Sequence, residues 1–177
     1  MEKLFTDAET FTKVRPTKIT EQQQKDFYKT IAEDIIANGW SDDDLEDVFA
    51  DVSRIHPHNS GYEIAKDLEG YGSKASYNID TTFIEFLDNF GYEKDCILRK
   101  NVEAWVLAHN PQPKFKKGQK LIVETILNYQ KKKGAIVYVT GFSEKQACYL
   151  IDENSEKQGG TVISYEKVEA NCIIKEN

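Results

Sequence analysis

The chain has 177 residues, with nine Phe, nine Tyr and two Trp, enough apolar and aromatic material for a packed core, which excludes wholesale disorder. It contains no run of about 18 apolar residues, and its first ten residues lack the basic and apolar regions of a secretory signal; with Cys96, Cys148 and Cys172 expected as reduced thiols, these features point to a cytoplasmic protein with no membrane association. The formal charge of −7 is unevenly spread: residues 1–110 hold 12 Lys/Arg and 22 Asp/Glu, whereas residues 111–177 hold 11 Lys and 8 Asp/Glu.

Residues 1–19 read as an N-terminal arm, with Leu4, Phe5 and Phe11 available to dock on the body. Thr20 and Gln23 have the spacing of a capping box. Phe27, Tyr28, Ile31, Ala32, Ile35 and Ile36 follow at helical intervals up to a stop at Gly39. Ser41 is expected to cap a second helix with Asp42, Asp43 and Asp44 in its first turn and Leu45, Val48, Phe49, Val52 and Ile55 as its buried stripe. Pro57 ends it. A third helix starts at Asn59 or Ser60. A fourth is capped by Asp80 and stopped by Gly91, and a fifth spans about Glu93 to His109. The Asn110-Pro111-Gln112-Pro113 segment marks a linker.

Beyond it the hydrophobic rhythm changes from helical to alternating. Segments 120–127, 135–139, 147–151, 161–164 and 170–174 read as strands, with breaks at 131–134, 140–145 and 152–160 and a short turn at 165–169. A short open sheet exposes its edges, so closure into a small antiparallel barrel is the expectation.

Within this stretch, Phe115-Lys116-Lys117-Gly118-Gln119-Lys120-Leu121 resembles the entry to an SH3-like barrel. Gly134-Ala135-Ile136-Val137 resembles its second strand, and Val162 to Val168 its fourth strand running into a one-turn helix. The resemblance covers about 113–175 and implies a fold and a module that binds proteins, peptides or nucleic acid. The consecutive acidic and aromatic residues of a PxxP-peptide groove are missing after the first strand. Residues 1–110 resemble no family. The expected fold class is therefore α+β: an acidic all-α helical domain at 20–110, followed at 111–177 by a five-stranded SH3-like antiparallel β-barrel.

Three clusters are candidates for function. Asp42, Asp43, Asp44, Glu46, Asp47 and Asp51 form the densest acidic group, and Trp40 just before them is a candidate anchor for a partner. Lys114, Lys116, Lys117 and Lys120 form a basic run, and Lys131, Lys132 and Lys133 a second; with Tyr129 they form a candidate basic surface for a partner or nucleic acid. His56-Pro57-His58 has two potential metal ligands but no third nearby.

No G-x-S-x-G, Walker loop, G-x-G-x-x-G or H-E-x-x-H occurs, so no catalytic residue, metal or cofactor is implied. The expected function is non-enzymatic binding of a macromolecule, with a protein partner. One form it takes is a phage-type inhibitor whose acidic surface, a DNA mimic, blocks a nucleic-acid-binding host enzyme such as a CRISPR or restriction effector. The alternatives are nucleic-acid binding by the basic barrel and an enzyme of unrecognised type.

Overall fold

The computed structural model describes residues 14–56, 59–70, 72–128, 131–154 and 159–175. Most of the expected arm, including Leu4, Phe5 and Phe11, lies outside them. The chain divides into two compact units. Pro16–Asn101 forms a helical unit, and Val14 and Arg15 with the chain from Val102 form a sheet unit, the division falling inside the fifth helix.

In the helical unit, α1 (Glu21–Ala37) starts at the anticipated capping box: the Gln23 N–H donates to Thr20 Oγ1 and the Thr20 N–H to Gln23 Oε1. α2 is Leu45–Val52, α3 Gly61–Leu68 and α4 Thr81–Asp88. Ser60 and Glu63 make a second capping box on α3, and Asp80 Oδ1 accepts from the Phe83 N–H at 2.8 Å to cap α4. Phe27, Tyr28, Ile31, Ile35, Val48, Val52, Ile64, Leu68, Phe83, Leu87 and Phe90 fill the core. α3 and α4 pack closely because Gly61 has no side chain; a Cβ there would strike the Ile84 carbonyl oxygen.

Three helix boundaries differ from expectation. α2 ends at Val52 with Ser53 as its C-cap, before Pro57, although Ile55 is still buried. Asp42–Asp44 are not a first helical turn but precede α2, whose N-cap is Asp44. Gly91 does not end α4: α5 (Phe90–His109) begins at Phe90 and runs through it. Phe90 is buried beside Phe27, with ring centroids 5.1 Å apart. Its burial contributes about 1.5–3 kcal/mol, more than the roughly 1 kcal/mol cost of a helical glycine.

In the sheet unit, β1 (Lys120–Val123), β2 (Ile136–Ser143), β3 (Cys148–Asp152), β4 (Thr161–Ser164) and β5 (Cys172–Ile174) form one antiparallel sheet in the order β4-β3-β2-β1-β5. The expected break at 140–145 is bridged. β2 continues through a bulge at Thr140, whose hydroxyl lies against the carbonyls of Leu150 and Gly159. The segment after β4, read as a short turn and, from the SH3-like resemblance, as a one-turn helix, is a seven-residue helix, α6 (Tyr165–Asn171), with Val168 buried against the sheet.

The sheet is open. Among the described residues β4 and β5 are its two edges and do not pair, so the closure expected of an SH3-like barrel is not made. The edges are limited instead by their brevity, four residues and three. One sheet face carries the core: Leu121, Val123, Val137, Val139, Tyr149, Ile151, Ile163 and Cys172, joined by Phe115 and Leu127. No helix among the described residues is long and apolar enough to cross a membrane.

Candidate functional site: an acidic ledge

The link from α1 to α2 runs over residues 38–44. Gly39 has φ +73°, a left-handed conformation suited to glycine, and it turns the chain out of α1. Trp40 then folds back rather than projecting. Its ring lies 5.0 Å from those of Phe83 and Phe86, and its carbonyl accepts from the Asn78 N–H at 2.8 Å. Ser41 is buried, and its Oγ accepts from the Asp43 N–H. With Trp40 and Ser41 anchored, the next three residues cross the surface before α2 can begin.

Asp43 and Asp47 hold this segment in place. Asp43 Oδ2 accepts from the Ser76 N–H at 2.6 Å, and Asp47 lies 3.8 Å from the Lys74 ammonium. Asp42, Asp44 and Glu46 are exposed, and among the described residues their side chains have no hydrogen-bond or ion-pair partner. The amino-terminal end of α2 favours negative charge here. The result is a ledge of carboxylates on a fixed backbone.

Asp51 does not belong to it. It is only 2% exposed and organises the loop before α4 from inside. Its carboxylate accepts from the Lys74 N–H (2.8 and 3.0 Å), the Ala75 N–H (3.0 Å) and the Tyr77 hydroxyl (3.2 Å), and pairs with Arg54. Burial, with Asp51 adjacent, pushes the Tyr77 phenol well above its ordinary range. Trp40, packed between aromatic rings, likewise serves the core more than the surface.

The basic candidates separate as well. Lys114, Lys116 and Lys117 are exposed. Lys120 is half-buried, its ammonium 5.9 Å from the Tyr138 ring centroid. Lys132 and Lys133 are exposed at the turn before β2. Lys131 is buried, at 6% exposure, with Nζ 3.0 Å from Glu153 Oε1, and so is not part of a basic surface. Tyr129 lies outside the described residues.

A polar knot not marked by any sequence motif sits nearby. Glu169 Oε1 accepts from the Tyr149 hydroxyl and the Lys114 N–H, both at 2.7 Å, while Tyr149 Oη accepts from the Phe115 N–H at 2.9 Å. Its role is to fix the entry to β1.

Two concavities lie in the helical unit. An open groove of about 610 Å³ is lined by Gln22, Lys25, Asp26, Lys29, Leu45, Glu46 and Phe49. A smaller one of about 270 Å³ runs past Asp51, Arg54, Asp67 and Gly72. The first sets Lys25 and Lys29 with Asp26 and Glu46 around an open surface; the second contains Asp51, already committed to the loop. Among the described residues no three His, Cys, Asp or Glu side chains are placed to hold a metal ion. His56 is exposed, Pro57 and His58 lie outside the described residues, and the His109 ring stacks on Trp105 at 4.8 Å. No family model matches the chain, and neither a curated protein nor a solved structure matches it.

Proposed function

We propose that the chain acts by binding a macromolecule rather than by catalysis, and that the ledge formed by Asp42, Asp43, Asp44, Glu46 and Asp47 docks on a positively charged surface of a protein partner. The observation that carries this reading is the division of labour within the ledge. Asp43 and Asp47 anchor it, while Asp42, Asp44 and Glu46 are exposed and unneutralised among the described residues. Adjacent like charges repel, which opposes what the exposed carboxylates gain at the amino-terminal end of α2. The surrounding unit adds to the field, with 9 Lys/Arg against 18 Asp/Glu over residues 16–101.

A nucleic-acid-binding enzyme presents the complementary surface, a channel lined with Lys and Arg. Carboxylates seated in it would exclude phosphates, which makes the chain an inhibitor of that enzyme; restriction and CRISPR effectors are of this class. Ledge binding is steered by charge and weakens with salt. The return of β5 to β1 and the placement of α6 between β4 and β5 support reading the sheet unit as an opened SH3-like module, a second binding element. The exposed run Lys114, Lys116 and Lys117 favours a second reading, contact with nucleic acid by that unit.

The test is capture from nuclease-treated native lysate, read by mass spectrometry, with the wild type and with Asp42→Asn/Asp44→Asn/Glu46→Gln. The variant should keep the wild-type circular dichroism. Ledge binding predicts at least one protein that the wild type retains and that both the variant and high salt release. An identical set on both baits rejects it. Loss of nucleic acid, but not protein, from Lys114→Gln/Lys116→Gln/Lys117→Gln supports the second reading.

A further inference from the structure

The sheet unit carries a separate surface along β5. Among the described residues this edge strand pairs only with β1. Bonds from the Glu124 N–H to the Asn171 carbonyl (2.8 Å) and from the Lys175 N–H to the Lys120 carbonyl (2.9 Å) bracket that pairing. By antiparallel alternation, Ile173 turns its main-chain groups to β1, and Cys172 and Ile174 turn theirs outward.

On the sheet face away from the core, the register sets Ile136, Ile122 and Ile173 side by side across β2, β1 and β5. Ile136 is 37% and Ile173 45% exposed. The next row along the strands holds Tyr138 and Lys120, followed by Lys175 at the end of β5. Neither lysine is in an ion pair among the described residues. Beyond brevity and a flanking lysine, edges are commonly protected by an inward charge, a proline or a bulge; the three residues of β5 include none of these last three. β4, the other edge, has one exposed apolar residue, Val162, and no lysine.

We propose that the β5 edge docks an extended segment of a partner protein, which adds as a further strand. It sets an apolar side chain beside Ile173 and an acidic one, two residues away, beside Lys175 and Lys120. Main-chain bonds to Cys172 and Ile174 supply affinity, and the isoleucine row and the lysines supply specificity. Charge favours this occupant over a second copy of the chain, because the three residues of a second β5, Cys172–Ile174, supply no carboxylate to face Lys175 and Lys120. The site is independent of the acidic ledge.

The test is an NMR titration of the full chain with a short synthetic peptide alternating valine and glutamate, and with its valine–lysine counterpart. The acidic peptide should shift the amides of Ile122 and of Cys172 to Lys175 and slow hydrogen exchange at Cys172 and Ile174; the basic peptide should leave them unchanged. Lys120→Glu/Lys175→Glu should weaken the acidic peptide about fivefold to tenfold. Shifts confined to other residues, equal effects of the two peptides, or an unchanged affinity in the variant would overturn the proposal. Concentration-dependent shifts of the same amides without peptide, lost in Ile173→Thr, would overturn it in favour of a second copy.

Discussion

Replacing Asp51 by Asn isolates the one acidic residue of the 42–51 cluster that the fold turns inward. The substitution keeps shape and volume but removes the charge and exchanges one acceptor oxygen for a donor. In the wild type the carboxylate receives the N–H groups of Lys74 and Ala75 and the Tyr77 hydroxyl. Lys74 and the partly exposed Arg54 can turn to water. The Ala75 N–H and the Tyr77 hydroxyl both donate to Oδ2, so an amide oxygen in that place keeps both bonds while the amide NH2 faces Arg54. Each of the two bonds then loses its charge assistance, about 1 kcal/mol apiece. A total near 2 kcal/mol lowers a urea midpoint by roughly 1 M. The assay is urea unfolding followed by helical circular dichroism, with Asp44→Asn as the surface control, expected within about 0.5 kcal/mol of wild type. An Asp51→Asn midpoint as close to wild type as that of Asp44→Asn would refute the hub reasoning.

Four further outcomes follow from the packing. Gly61→Ala should destabilise the helical unit by about 3 kcal/mol in the same urea assay, because a Cβ meets the Ile84 carbonyl and comes within 2.8 Å of the Asp88 nitrogen. Tyr149→Phe should cost about 1–3 kcal/mol, since the buried Phe115 N–H loses its acceptor; thermal melts of the pair measure it. In native protein at pH 8, iodoacetamide with mass mapping should label the half-exposed Cys96 first: Cys148 and Cys172 are buried, and burial followed by the Glu124 charge pushes the Cys172 thiol up to about 11. Bonds from Thr82 and then Phe83 hold the Asp80 carboxyl below its ordinary value of 3.8. Its folded value is thus the lower one, so its contribution to stability is complete above pH 3.8 and is lost as pH falls through the folded value. Asp80→Asn should flatten the acid limb of a stability–pH profile.

Local chemistry was legible where it acts within a few residues. Thr20 with Gln23, Ser60 and Asp80 declare their helices through short-range capping, and the change of hydrophobic period near Pro111 separates helices from strands. Where long-range contacts decide, the pattern misleads. Trp40 is pulled into the core by Phe83 and Phe86, residues far along the chain, and Ser41 is buried after it, so the three aspartates precede α2 rather than open it. Asp51 falls within the stripe of Val48, Val52 and Ile55, and that position was the available sign of its burial. Lys131 carries no such sign, because Glu153 lies 22 residues away. Closure of the sheet depends on whether β4 meets β5, which strand-length patterns do not encode. The exposed isoleucine row has a faint signal: Leu121, Ile122 and Val123 are consecutive, so one of them must face away from the core.

The most direct measurement is titration calorimetry of the captured partner against the wild type and the Asp42→Asn/Asp44→Asn/Glu46→Gln variant over a series of salt concentrations. Docking through the ledge requires a wild-type Kd that rises steeply with salt, and a variant that binds weakly at every concentration with a nearly flat dependence. Equal affinities and equal salt slopes for the two proteins would contradict it.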